Sequence, residues 1–305
     1  MREPPATELS TYPPILDALG RGAPISLASI GGGCIADAKV AAFEDGGKVF
    51  IKTADGVAQS HMFQREAEGL AALACARAIR LPEVLAVDQH ALVLEWISGA
   101  QKKPGFAKTF GRNFAKLHEY RGKTCGFPQD NFIGSTRQCN APVDGKWEDA
   151  DDDDGSAWPE FFLERRLRFQ VRLAEDRGHG IELSRLLDRA ESSIFEYLEA
   201  AIEPASILHG DLWSGNFMVD EQGEACLIDP AVYYGHREAD LAMTRLFGGF
   251  EPLFYSAYNE TLPLAAGHQD RLPIYQLYHV LNHLNLFGGS YYAQSQRILQ
   301  RYAGS

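Results

Sequence analysis

The apolar pattern changes period once, near Gly99, and that change limits the folds open to the chain. Before it, ISLASI, GGGCIADAKVAAF and DGGKVFIKT alternate short apolar runs with glycine through residues 25–53, as a hairpin-rich sheet does. HMFQREAEGLAALACARA (61–78) is a run of helix formers with few breakers. LPEVLAVD and HALVLEWISG, bounded by Pro82 and Gly99, return to β-type runs. The order read is strand, strand, helix, strand, strand. After Gly99, FAKTFGRNFAKLHEY (106–120), WPEFFLERRLRFQVRLAEDRG (158–178) and IELSRLLDRAESSIFEYLEA (181–200) carry apolar residues near helical spacing. The expectation is an α+β chain with a small antiparallel β lobe over 1–97 and a larger helical lobe over 98–305, and no internal repeat.

Two stretches interrupt the helical part. CGFPQDNFIGSTRQCNAPVDGKWEDADDDDGS (125–156) is rich in Gly, Pro, Asn and Asp and reads as loop or hairpin. In SILHGDLWSGNFMVDEQGEACLIDPAVYYG (206–235), ILHGD, NFMVD and EACLID read as short strands flanking tight loops. Asp211, Asp220 and Asp229 fall at or near their ends, and chemistry is sought there.

Charge narrows the function classes. The 305 residues hold 29 Lys+Arg against 41 Asp+Glu, a net charge of −12, which argues against a chain built to grip nucleic acid. Half of that charge lies in one run, where Glu148, Asp149 and Asp151 through Asp154 place six acids in seven positions. The run reads as a solvated loop. A functional alternative is that it concentrates cationic amine substrates, an effect that salt would screen. No apolar run approaches the roughly 18 residues of a membrane span. The first twenty residues, with their acids and prolines, do not read as a secretory signal, so the expected location is the cytoplasm. Five scattered cysteines lack metal or dithiol spacing and read as reduced thiols.

Asp211 and Asn216 stand five positions apart, and Asp229 follows thirteen after Asn216. Phosphoryl transfer needs a carboxylate to orient or deprotonate the acceptor hydroxyl, and an amide oxygen with a second carboxylate to hold Mg²⁺ against the ATP phosphates. These three residues can fill those roles.

The segment resembles the catalytic and metal loops of protein-kinase-like phosphotransferases, with HGD in the place of HRD and IDP in that of DFG. The resemblance implies a two-lobed kinase-like fold with ATP and Mg²⁺ in its cleft. It implies an upstream strand lysine, and VFIK supplies Lys52, with Glu66 rather than Glu68 on the next helix as its carboxylate partner. Gly31, Gly32 and Gly33 precede that strand and could fold over the phosphates, although the run matches neither GxGxxG nor the P-loop pattern. Glu95 and Trp96 occupy the connection between lobes, where backbone groups would bind adenine.

GGGCI, VFIK, GRNFAKLHE, CGFPQDNFIGSTRQ, HGDLWSGN and IDPAVYYGHREADLAMTRLFGGF together resemble the fructosamine kinase (ketosamine-3-kinase) family over about residues 25–295. The resemblance implies phosphorylation of the 3-hydroxyl of a ketosamine, free or on a protein lysine, giving an adduct that decomposes and frees the amine. It assigns Asp211 as catalytic base, Asn216 and Asp229 as Mg²⁺ ligands, Lys52 and Glu66 as ATP-positioning residues and Trp213 as the sugar platform. An indole there suits the C–H faces of a sugar and a cationic amine. The rival readings are a kinase of an aminoglycoside, choline or other amino alcohol, and a non-catalytic pseudokinase. His209 reads as a loop-steadying ring and His118 as packing, while His236, Glu238 and Asp240 read as anchors of helix starts and of the catalytic loop. Cys34, near the glycine turn and Lys52, is a small residue or a redox-sensitive thiol. The identities of sugar and amine, and the choice between monomer and homodimer, stay open.

Overall fold

A computed structural model describes residues 13–30, 37–54, 61–143, 145–150, 152–179 and 181–304. Gly31, Gly32, Gly33 and Cys34 therefore lie outside the described residues, as does Asp151 of the acidic run. Five strands, β1 (Ser26–Ile30), β2 (Asp37–Ala42), β3 (Lys48–Thr53), β4 (Val84–Val87) and β5 (Ala91–Glu95), form one antiparallel sheet in the order β1-β2-β3-β5-β4. Helix α1 (Met62–Ala74) lies between β3 and β4 in sequence. Three strands thus precede the helix, one more than the order read from the sequence.

The pleat explains why one run can serve two cores. In β3, Val49 and Ile51 join Leu27, Ala41 and Val93 on one face, against Ile15 and Leu16 of a short 3₁₀ turn. Phe50 on the opposite face packs with Met62, Phe63 and Leu70 of α1 and with Leu92 and Leu94 of β5. Side chains along a strand alternate between faces, so Lys52 shares the α1 face with Phe50.

The helical lobe holds α2 (Phe106–His118), the hairpin β6 (Asn131–Ile133) and β7 (Thr136–Gln138), α3 (Trp158–Phe161), α4 (Phe169–Asp176) and α5 (Glu182–Glu199). A π-helical segment, Phe162–Arg168, joins α3 to α4. Short strands β8 (Ser206–Leu208), β9 (Phe217–Val219), β10 (Ala225–Leu227) and β11 (Tyr233–Gly235) follow, then α6 (Glu238–Leu246), α7 (Pro252–Thr261), α8 (His268–Phe287) and α9 (Tyr291–Tyr302). β9 pairs with β10, and β8 with β11, a strand the sequence reading left out. The large core draws on α2 through α9 and also takes Leu73 from α1. Among the described residues no helix is long and apolar enough to cross a membrane.

Two devices fix the lobes together. Arg80 pairs with Glu95 at the end of β5 and, on the helical side, with Asp220 and Glu221 of the β9–β10 turn (2.7, 3.2 and 2.6 Å). Its carbonyl also accepts the Leu227 N–H. On α1, Gly69 faces the chain after Asp229: a Cβ there would lie 3.0 Å from the Val232 side chain. A glycine inside a helix costs about 1 kcal/mol against alanine, and close approach to Val232 accounts for it here.

Of the acidic run, Glu148, Asp149, Asp152 and Asp154 are exposed, which agrees with the solvated reading. Asp154 accepts the Ser156 N–H and Asp153 the Ser156 hydroxyl, so the end of the run is tied to the start of α3.

Candidate active site

The HGD loop begins where β8 ends, and buried hydrogen bonds set its shape. Asp240, in the first turn of α6, accepts the His209 N–H (2.7 Å) and the Gly210 N–H (2.8 Å). His118 Nε2 lies 3.2 Å from the same carboxylate and its Nδ1 2.7 Å from the Tyr258 hydroxyl. Asp240 is held below the usual carboxylate range: burial would raise it, but the histidines and loop amides outweigh that. His209 meets the Ile228 carbonyl through Nε2 (3.0 Å), and its Nδ1 accepts the Asp211 N–H (3.3 Å). Gly210 has φ +82° and a Cβ there would lie 2.0 Å from the Ala231 carbonyl oxygen, so HGD requires glycine at its centre. The anchoring roles read for Asp240 and His209 match these contacts, whereas His118, read as packing, is also hydrogen-bonded to Asp240 and Tyr258.

Asp211 opens from this frame with a fifth of its side chain exposed (20%). Burial, then the nearby Asp229 charge, pushes its carboxyl well above the ordinary range, while the Asn216 amide pulls the other way. Asn216 Nδ2 donates to the Asp211 carbonyl (2.9 Å) and to Asp211 Oδ2 (3.2 Å). The Ile228 N–H donates to the Asn216 carbonyl (3.0 Å), which sets Asp229 beside Asn216. Asp229 has φ +55°, uncommon for a non-glycine residue, and such conformations cluster at functional sites.

Across the cleft, Lys52 Nζ lies 2.6 Å from Glu66 Oε1 and 2.6 Å from Asp229 Oδ1. Burial alone would lower the Lys52 pKa, but the two carboxylates overcome it and raise it, so the ammonium stays charged. Glu66 rather than Glu68 is the partner, since Glu68 pairs with Arg65. Residues 177 positions apart thus meet in one ion-paired group.

The donor set suits Mg²⁺. The Asn216 bonds through Nδ2 leave Oδ1 as a hard oxygen donor without a hydrogen bond among the described residues, and Asp229, which follows the Ile228 N–H bonded to the Asn216 carbonyl, has its carboxylate 46% exposed. Among the described residues no group of three or more His, Cys, Asp or Glu could hold a metal. One amide oxygen and one carboxylate match an ion that takes its remaining oxygens from phosphates and water.

Trp213 is exposed, its indole meeting Phe247 edge-on at 6.2 Å. The Glu95 N–H is committed to the Glu83 carbonyl and its carboxylate to Arg80, so what it could offer a base is its own carbonyl; Trp96 follows, half-buried. Asp220 is not part of the cleft chemistry: it caps the β9–β10 turn, accepting the Gln222 and Glu224 N–H groups.

The NFIG hairpin supports the site from behind. Asn131 Nδ2 donates to the Val232 carbonyl (2.7 Å) and Gln138 Nε2 to that of Ala231 (3.1 Å). Asn140 and Tyr278 complete the buried network through Asn131 Oδ1 and Gln138 Oε1. A family model described as fructosamine kinase matches residues 15–304. The chain belongs to the fructosamine kinase family. A protein of Synechocystis sp. named "Probable ketoamine kinase" is 37% identical over 90% of this chain and 88% of its own. The chloroplastic protein-ribulosamine 3-kinase of Arabidopsis thaliana is 38% identical over 90% and 82%. The solved structure of a candidate fructosamine-3-kinase from Thermobifida fusca superposes with TM-score 0.82 at 31% identity, covering 95% of this chain and 96% of that one. An aminoglycoside phosphotransferase solved with AMP-PNP and hygromycin B shares the fold alone, at TM-score 0.61 and 14% identity over 93% and 96% of the two chains.

Sequence reasoning missed Arg80, Gly69 and His279 of α8. Gly69 carried a signal, as a glycine amid strong helix formers. Arg80 and His279 carried none, because their partners lie far along the chain.

Proposed function

We propose that the protein is an ATP-dependent kinase of ketosamines, phosphorylating the 3-hydroxyl of a fructosamine or ribulosamine, free or on a protein lysine. The observation that carries this reading is the convergence of Lys52, Glu66 and Asp229 in one ion-paired group beside Asn216 and the Asp211 loop. Asp211 receives the proton of the acceptor hydroxyl as its oxygen bonds to the γ-phosphorus and the bond to the β,γ-bridging oxygen breaks, releasing ADP. Lys52, oriented by Glu66, positions the nucleotide phosphates, and Asn216 and Asp229 hold Mg²⁺, which when bound neutralises charge on those phosphates. Trp213 stacks on the sugar, and its exposure leaves room for an amine carried on a larger molecule. The phosphorylated adduct then decomposes and frees the amine.

The division at 97/98 belongs to the same reading, falling between the end of β5 at Glu95 and the start of α2 at Phe106. The cytoplasm suits Cys75, Cys125, Cys139 and Cys226, all free thiols.

The test is a kinase assay over fructosamines, ribulosamines and erythrulosamines beside aminoglycosides and choline, with the phosphorylated oxygen located by NMR. Turnover of ketosamines at O3 is expected. Turnover confined to aminoglycosides or choline, or phosphate on another oxygen, would overturn the proposal.

A further inference from the structure

His279 is 3% exposed, and its Nδ1 makes no hydrogen bond among the described residues. That nitrogen lies 3.9 Å from Asp211 Oδ1, too far for a direct hydrogen bond. Leaving a buried polar atom unpaired costs about 1–3 kcal/mol, so a ring kept in this position has a use for a partner that arrives. The surrounding groups do not supply one. Tyr278 packs its ring against His279 at 5.1 Å while its hydroxyl is committed to Gln138, and His283 Nδ1 meets the His279 backbone carbonyl rather than its ring. Burial drives the His279 pKa down to about 3, so the ring is neutral, and in the tautomer protonated on Nε2 its Nδ1 is an acceptor.

Asp211 is similarly divided. Its Oδ2 takes the Asn216 amide, which leaves Oδ1 as the oxygen that faces His279. Two acceptors therefore stand 3.9 Å apart, with His279 Nδ1 out of contact with solvent, so a small shift of the residues covering it must admit the hydroxyl. Hydroxyls on adjacent gauche carbons lie closer together than this, and with O–H bonds diverging each can reach one acceptor at about 2.8 Å. A substrate with a single hydroxyl would satisfy Asp211 and leave His279 unpaired. We propose that Asp211 Oδ1 and His279 Nδ1 together recognise a vicinal diol, His279 accepting the hydrogen bond of the hydroxyl next to the one phosphorylated.

The inference rests on the ketosamine reading, in which C2 is a ketone and that neighbour is the 4-hydroxyl. His279 is then a specificity residue: it selects a polyol over a mono-alcohol such as choline, because a site built to pair a hydroxyl rejects the analogue that lacks it.

The experiment compares a fructosamine with its 4-deoxy analogue, on the wild type and on His279→Phe and His279→Asn. His279→Phe keeps a ring without an acceptor, and His279→Asn keeps an acceptor. Wild type should prefer the parent substrate in kcat/KM by about 10-fold to 10²-fold. His279→Phe should turn over the two substrates alike, and His279→Asn should recover part of the preference, with the KM for ATP unmoved in both. Equal use of the two substrates by the wild type would overturn the assignment, and that comparison needs no variant to fold. An equal loss on both substrates in His279→Phe, with the preference kept, would overturn it as well and leave the ring a packing role. If the wild type turns over neither substrate, this inference falls together with the reading beneath it, whereas equal turnover defeats the inference alone.

Discussion

The two sides of the cleft solve different electrostatic problems. On the side proposed to hold the nucleotide every charge has an opposite charge against it: Lys52 lies 2.6 Å from both Glu66 and Asp229. On the acceptor side the framework is built from buried neutral rings, His118, His209 and His279, around one ionised Asp240. The first arrangement suits a polyanion with its metal, since the ammonium and the carboxylates can redistribute among phosphates and Mg²⁺ with little change in net charge. The second suits a polyol, which offers hydroxyls and brings little charge of its own.

The sharpest test of this division is a pair of variants at its two poles. Asp211→Asn removes the proton acceptor but keeps shape and hydrogen bonding, and turnover should fall by about 10³-fold, in the range found for general bases. ATP binding, followed by calorimetry, should survive. Lys52→Ala should do the reverse, weakening ATP binding and lowering kcat/KM for ATP by about 10²-fold. If both variants lost ATP binding equally, or if Asp211→Asn kept near-normal turnover, the two sides would not be separable in this way.

The division also explains how much of the site was legible in the sequence. Asp211, Asn216 and Asp229 lie on one short stretch whose spacing is set by local turns, so their proximity could be read directly. The β-lobe was legible for a similar local reason: short apolar runs such as VFI in β3 and ALVL in β5, bounded by turn residues, read as strands. Lys52 and Glu66 became readable through the family resemblance, because nothing local marks a strand lysine as the partner of a helix carboxylate 14 positions on, or of Asp229, 177 positions away. Arg80 and His279 stayed hidden because the same residue types on a solvated turn or an ordinary helix face would look identical. β11 is no shorter than β8, β9 and β10, which were read, but it offers Tyr-Tyr-Gly where they carry aliphatic residues. Cys34 and the three glycines fall outside the described residues.

A second prediction concerns the frame of the acceptor side. Asp240 accepts two loop N–H groups and pairs with His118, all out of water. Asp240→Ala would leave those donors unpaired and should cost about 3 kcal/mol of folding stability, measured by urea denaturation. Glu66→Gln, on the part of the cleft nearer solvent, should cost much less stability while still impairing ATP use. Equal stability losses would show that the nucleotide side is as much a folding scaffold as the acceptor side, which would dissolve the contrast.

The smallest expected effect is a loss of stability on acidification, opposite in sign to the contribution of Glu66 and Asp211, whose carboxyls burial raises. His118, His209, His236 and His279 are all buried, and burial holds each below its ordinary pKa, to about 3 for His279. In the unfolded chain the same rings take up protons near pH 6.5. Between those values the unfolded state binds more protons than the folded one, so stability rises with pH and is complete above about 6.5. As the pH falls below that point stability is lost, and at pH 5 His279 alone should account for about 2 kcal/mol. Lys52, with its pKa raised and its charge kept throughout, contributes nothing in this window. Urea denaturation between pH 7.5 and 5 should therefore show a decline that begins near 6.5, where the unfolded histidines start to take up protons. His236→Gln, which replaces a ring remote from Asp211 and bonded to the Ala201 carbonyl, should make the decline shallower without altering the identity of the preferred substrate. A stability that stayed level down to pH 5 would mean that the buried rings are charged when folded, and the acceptor side would then be as ionic as the nucleotide side.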